Sequence, residues 1–199
     1  MVPVIAIVGR PNVGKSTLFN TLTYTRDALV ADFPGLTRDR QYGYLELEKK
    51  NAIIIDTGGL LGDEGNLSEL MNSQVTAAIN ESHLILFIVD AKSGYMDDDR
   101  KILKSIRACN KPILLLVNKI DGNDEQLAML DFYKLGVDKI IPIAAVHKRN
   151  IGYLREELES FCENVIIEDE EHQASLETKG PNLAIIGKPN VGKSTLVNR

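Results

Sequence analysis

The sequence predicts a three-layer α/β/α domain built on a mostly parallel, six-stranded sheet. Three observations predict it. Five short apolar runs rich in β-branched residues, at 4–8, 52–55, 84–89, 113–117 and 140–143, alternate with segments of helical period. Runs with so little polar alternation are how strands buried on both faces of a parallel sheet read. A sixth run, 42–47, alternates apolar and polar residues, as an edge or antiparallel strand does. The third observation is a glycine-rich stretch, GRPNVGKST at 9–17, set between the first strand and the first helix. Strands alternating with helices place helices on both faces of one sheet.

In chain order, the first strand is VIAIV at 4–8, stopped by Gly9-Arg10-Pro11. A helix at 15–22 follows the glycine-rich turn. The alternating strand 42–47 and the apolar strand 52–55 come next, and Asp56 ends the second of them. Helices at 67–81, 97–109 and 125–133 separate the strands 84–89, 113–117 and 140–143, and a last helix is predicted over 151–162. Residues 163–179 then hold six acids and one base and few aromatics. Such a stretch cannot bury enough apolar surface to pack, so 165–181 reads as an acidic linker, with room for the preceding helix to tail into its first residues.

After it the beginning of the chain recurs. Residues 5–20 and 183–198 match at 12 of 16 positions, at a fixed offset of 178. A repeat at domain-sized spacing means two copies of one domain. The expected organisation is a first domain over 1–164, the linker over 165–181 and the truncated start of a second domain over 182–199. The second copy has its phosphate loop and none of the later motifs, so one nucleotide per chain is expected.

Composition narrows the classes further. At 199 residues and 44% hydrophobic content the chain can build a sizeable core. Its net charge of −5 resides in the acidic stretch, leaving 22 acids against 22 bases elsewhere. No basic face is visible in those totals, and tryptophan is absent. Neither nucleic-acid binding by charge alone nor a direct sequence-specific nucleic-acid site is therefore expected. Cys109 and Cys162 fit no metal-ligand spacing and suit a reducing cytosol. No run approaches the ~20 apolar residues that span a bilayer, and nothing at the start reads as a signal peptide. A cytoplasmic monomer without a membrane partner is expected.

The chemistry lies in four motifs. Gly9-x-x-x-x-Gly14-Lys15-Ser16 follows a strand and opens a helix, as a P-loop must. Backbone N–H groups around Gly9, Asn12, Val13, Gly14 and Thr17 would cradle phosphates at a helix N-terminus. Lys15 would reach the β- and γ-phosphates, and Ser16 would ligate Mg²⁺. Asp56-Thr57-Gly58-Gly59 ends a strand, so Asp56 would hold Mg²⁺ through water and Gly59 N–H would meet the γ-phosphate. Between these motifs, Thr37 in FPGLTRD (33–39) is the candidate switch residue for Mg²⁺ and γ-phosphate. Long irregular stretches in compact domains are usually functional. Asn118-Lys119-Ile120-Asp121 follows the strand at 113–117, where open α/β sheets bind ligands. The Asp121 carboxylate can accept from guanine N1–H and the 2-amino group together, a pair that adenine lacks. Asn118 would tie this loop to the P-loop, and the Lys119 stem would cover the base. GTP or GDP with Mg²⁺ is the implied ligand.

In this order the motifs resemble the translation-factor class of GTPases, whose small-GTPase-like G domain is a P-loop NTPase fold. GxPNVGKST, PGxTRD and DTGG resemble its Era-like branch. Two such domains joined by an acidic linker resemble the Der (EngA) family. That resemblance implies work on the large ribosomal subunit by the full-length protein. It also implies Ala144, Ala145 and Val146 at the base, with Ala145 N–H offered to guanine O6, and a K⁺ ion held by Asn12. The chain departs from the family where Ala144 replaces a serine, removing a hydroxyl that supports the Asp121 loop, and where Phe33 replaces a threonine. Leu60 stands where many small GTPases carry the glutamine that orients water. The water must then be placed by backbone, another side chain or a partner. Arg10, Arg38 and Arg40 read as solvent-facing. Hydrolysis relies on positioning and charge, so Lys15, Thr37 and Gly59 are the catalytic candidates. The competing readings are a GTP-gated binding module in which hydrolysis is incidental, which Leu60 keeps open, and a P-loop ATPase or nucleotide kinase, which 118–121 opposes.

Overall fold

A computed structural model describes residues 2–23, 41–58, 73–120 and 125–176, the side chains of 73, 74, 125–128 and 166–176 excepted. Its elements run β1 (Val4–Val8), α1 (Lys15–Leu22), β2 (Gln41–Glu46), β3 (Asn51–Asp56), α2 (Ser73–Glu81), β4 (Leu84–Asp90), α3 (Asp97–Arg107), β5 (Ile113–Asn118), α4 (Glu125–Tyr133), β6 (Lys139–Pro142) and α5 (Ile151–Leu176). The six strands form one sheet in the order β2-β3-β1-β4-β5-β6. All neighbours pair in parallel except β2, which runs antiparallel to β3 at the edge, with Tyr42 opposite Ile55 and Tyr44 opposite Ile53.

Successive strand residues point to opposite faces, so each central strand feeds two cores. Ile5, Ile7, Leu84, Leu86, Leu114 and Leu116 face α1 and α5, where Leu18, Leu22, Leu154 and Leu158 meet them. Ala6, Val8, Ile85, Phe87, Leu115 and Val117 face the other way, onto Ile79, Ile102, Ile106 and Phe132 of α2, α3 and α4. Most of these side chains are fully buried, each stabilising the fold by about 1.5–3 kcal/mol. Apolar residues on both faces of β1, β4 and β5 are why those strands read as unbroken apolar runs. The edge strand β2 alternates, burying Gly43 and Leu45 between exposed ends. Gly43 is required there, since a Cβ would lie 2.4 Å from Thr23 Cγ2 and 2.6 Å from Phe19 Cζ.

Helix α5 buries Ile151, Leu154, Leu158 and Cys162, and burial pushes the Cys162 thiol up to about 11. Its Arg155 donates to Leu22 O (3.3 Å) and to Glu46 O, fastening α5 to the ends of α1 and β2. The helix then continues to Leu176, through most of the stretch the sequence reads as linker. Glu, Ala, Gln and Leu are good helix formers, and no Gly or Pro intervenes before Gly180-Pro181. Acidic composition does not prevent a helix there. The chain divides into two units, Met1–Ile166 and Ile167–Arg199. Of the second, only the helical residues 167–176 are described.

Candidate functional site

The site sits where β1, β3 and β5 end. β1 passes directly into the phosphate loop. Gly9 is buried, and a Cβ on it would lie 2.3 Å from Ile88 O, so the loop leaves β1 pressed against β4. Asn12 and Gly14 take left-handed conformations, φ 63° and 103°. Gly14 could accept no side chain, because a Cβ would fall 2.3 Å from Asn118 Nδ2. Helix α1 starts at Lys15 with no side-chain cap and no acid in its first turn. Its N-terminal N–H groups and their partial positive charge are left for an anion.

Lys15 is 5% exposed, yet no carboxylate pairs with it among the described ion pairs. Its Nζ donates to Gly9 O (2.9 Å) and Arg10 O (2.7 Å). Burial lowers its pKa to about 8, with the nearby Arg10 adding to the effect and Asp56 opposing it. Ser16 Oγ donates to Asp56 Oδ2 at 2.9 Å, and Gly58 N–H donates to Asp56 Oδ1 at 2.7 Å. The two oxygen groups proposed for Mg²⁺ are thus adjacent. Thr57 Oγ1 donates to Ile7 O (2.7 Å), holding β3's exit against β1.

Asn118 uses both ends of its amide. Nδ2 donates to Val13 O at 2.8 Å, and Oδ1 accepts from Ala145 N–H at 3.0 Å, both buried. One side chain therefore joins the phosphate loop to the loop after β6. Lys119, at φ 68°, sends its Nζ to Asn12 O (2.8 Å) and Asp90 Oδ2 (2.7 Å). Its stem crosses between the ends of β4 and β5 and the phosphate loop. Main-chain bonds hold the 144–149 loop: His147 N–H and Arg149 N–H both donate to Ala144 O at 3.1 Å. The turn closes there without the hydroxyl that a serine at 144 would bring. A cavity of about 560 Å³ lies between these loops, lined among others by Gly14, Lys15, Ser16, Lys119, Ala145 and Val146.

Two expectations change. Ala145 N–H is committed to Asn118 Oδ1, so it is not the free donor that guanine O6 was to receive. Arg10 is not solvent-facing. Its Nε donates to Asp99 Oδ1 at 2.7 Å and its Nη2 to Ser93 Oγ at 3.0 Å, with the Asp99 side chain fully buried. Asp99 Oδ2 accepts from Met96 N–H at 3.0 Å, so this residue also caps α3. Sequence reasoning missed Asp90 and Asp99. The signal for Asp90 was its place at the carboxyl end of β4. Asp99 had none, because Arg10 lies 89 residues away in sequence. Thr37, Gly59, Leu60, Asp121 and the second glycine-rich copy lie outside the described residues.

The family model described as "50S ribosome-binding GTPase" matches residues 4–119. The chain belongs to this GTPase family. Among curated members, GTPase Der of Marinomonas sp. (strain MWYL1) is 50% identical over 200 residues, covering 100% of this chain and 44% of that protein. GTPase Der of Legionella pneumophila (strain Lens) is 52% identical, covering 100% of this chain and 42% of its own length. The chain thus spans less than half of these relatives. Among solved structures, a single-residue variant of Aquifex aeolicus Era bound to GDP·AlF4⁻ superposes with TM-score 0.64 at 31% identity, over 81% of this chain and 57% of that one. Era in complex with MgGDPNP and nucleotides 1506–1542 of 16S ribosomal RNA gives TM-score 0.62 at 25% identity, over 96% and 60%. The three-layer α/β GTPase fold expected from the sequence is the fold of this family member. Among the described residues no helix is long and apolar enough to cross a membrane.

Proposed function

We propose that this chain binds guanine nucleotide with Mg²⁺ and hydrolyses GTP to GDP as a conformational switch. The observation that carries the reading is the Asn118 amide, which joins the phosphate loop at Val13 to the base loop at Ala145 across one cavity. The donor chemistry fits. A buried ammonium with no carboxylate partner among the described residues suits phosphate, and the adjacent Ser16 hydroxyl and Asp56 carboxylate are hard oxygen donors that suit Mg²⁺. Bound Mg²⁺ supplies neutralisation of phosphate charge.

In this reading Lys15 meets the β- and γ-phosphates. Gly9, Asn12, Val13, Gly14 and Thr17 present backbone to them. Thr37 and Gly59 close on the γ-phosphate and release it after hydrolysis. The Lys119 stem covers the base, Ala144 and Val146 border it, and Asp121 reads its two donors. Ala145 acts through Asn118. Asn12 holds K⁺, which stands in for an arginine finger. Residues 1–164 form the nucleotide domain, 165–181 the linker and 182–199 the start of a second domain that binds no nucleotide here. The chain works as a cytoplasmic monomer, and in the longer protein it acts on the large ribosomal subunit.

The deciding experiment is Asp121→Asn. It should weaken GTP binding by about 10⁴-fold or more and favour xanthosine nucleotides, whose 2-oxo group replaces the amino group. Unchanged GTP affinity would overturn the guanine assignment.

A further inference from the structure

A second cavity of about 610 Å³ lies along the seam of α3 and α4, and shares no lining residue with the nucleotide cavity. The strands it flanks are parallel, so Arg107 and Leu135 sit where β5 and β6 begin, whereas nucleotide meets the ends where strands finish. Its walls carry Arg100, Lys104 and Arg107 of α3, Lys134 beyond α4, and one acid, Asp131. The seam is therefore net positive in a chain of net charge −5.

Two of these cations have local work. Arg107 Nη2 donates to Leu135 O (2.6 Å) and Gly136 O (2.7 Å), and Lys134 pairs with Asp131 at 2.7 Å. The other two do not. Lys104 is exposed and has no hydrogen-bond or ion-pair partner among the described residues. Arg100 stands over the Tyr95 ring, 6.0 Å from its centroid. Arg100, Lys104 and Arg107 follow one another at i, i+4 and i+7 on α3, an arrangement in which like charges oppose each other. Fold stability accounts for Arg107 through its two carbonyl bonds, but not for the exposed Lys104 set between two arginines. The stripe is about 10 Å long, the length of roughly three nucleotide steps.

We propose that the α3–α4 seam binds the sugar-phosphate backbone of folded RNA, with Arg100 and Lys104 contacting successive phosphates. This rests on the reading that the chain acts on ribosomal particles. Contacts of this kind position an RNA without reading its bases; the local excess of cations on this seam is what the balanced totals of the whole chain do not show. The guanidinium of Arg100, held against the Tyr95 ring, presents its fork of donors to a phosphate at reduced cost in side-chain freedom.

The test uses the full 199-residue chain and a short fluorescent RNA duplex of arbitrary sequence. The Arg100→Gln/Lys104→Gln double variant should bind the duplex at least about tenfold more weakly, with a salt slope reduced by about 1.8. Lys101→Gln, on the same helix but paired with Asp98 outside the seam, should bind as wild type does. Guanine-nucleotide titration of each variant reports folding and should be unchanged. No duplex binding by the wild type at low salt would overturn the proposal, as would equal weakening by Lys101→Gln. Displacement of the duplex by polyglutamate at matched charge would assign the seam to an acidic protein segment and overturn it too. In all of these outcomes the nucleotide titration stands separately, so the GTPase reading fails or survives on its own arm.

Discussion

Replacing Asn118 by alanine removes one side chain and breaks two buried contacts at once. Val13 O loses its donor at 2.8 Å and Ala145 N–H its acceptor at 3.0 Å. Val13 is 1% exposed and Ala145 2%, so bulk water cannot replace either partner. An orphaned buried backbone group costs about 1–3 kcal/mol, which puts the loss at roughly 2–6 kcal/mol. Against a total stability of about 5–15 kcal/mol this is a large share. It corresponds to a melting temperature lower by roughly 4–24 °C. Urea unfolding of the nucleotide-free chain measures the loss, and its slope checks that the unfolded state is unchanged. Asn118→Asp sharpens the test, because it keeps the acceptor for Ala145 N–H but sets a carboxylate oxygen against Val13 O. It should be at least as damaging as alanine and should weaken nucleotide binding further. If either variant loses less than about 1 kcal/mol and binds nucleotide normally, the amide is not the tie between the two loops.

Three further outcomes are expected. Gly14→Ala should abolish nucleotide binding in a titration, since its Cβ would strike Asn118 Nδ2 at 2.3 Å from a backbone at φ 103°. For Lys15, burial lowers the pKa from 10.5 to about 8, so at neutral pH the nucleotide-free fold carries a charged group it disfavours. Between those two values the unfolded chain holds more protons, so wild-type stability rises relative to Lys15→Met as pH climbs from about 8 to about 10. Parallel urea curves that keep a constant gap would refute this. Single-turnover GTP hydrolysis should be faster in KCl than in NaCl at equal ionic strength and should lose the difference in Asn12→Ala; equal rates would remove K⁺ from the mechanism.

The sequence made local features legible and long-range ones not. β1, α1 and α4 have the bounds their periodicity predicts, because each is set by residues that neighbour one another in sequence. The antiparallel edge strand was visible in the alternation of Tyr42, Gly43, Tyr44 and Leu45, since only one side of an edge strand needs to be apolar. Motif spacing brought out Lys15, Ser16, Asp56, Asn118 and Lys119 because their chemistry depends on fixed positions at strand ends. The Arg10–Asp99 pair and the commitment of Ala145 N–H were invisible, as both arise from chain segments that only the sheet order brings together. The acidic stretch leaves room for a helix to run into it, and α5 runs on to Leu176, further than apolar periodicity alone could show. Composition limits packing there, while helix propensity depends on different properties of the same glutamates.

The Arg10–Asp99 contact also bears on kinetics. If the phosphate loop collapsed when empty, Asp99 would be left as a buried carboxylate without its cation, a penalty of about 3–5 kcal/mol. That cost opposes collapse of the loop when its site is empty. On the proposed reading, arrival of a nucleotide would then cost little ordering of this segment. A factor that speeds exchange by remodelling this loop would have to supply a substitute partner for Asp99, which makes the first turn of α3 the natural place for such a factor to push.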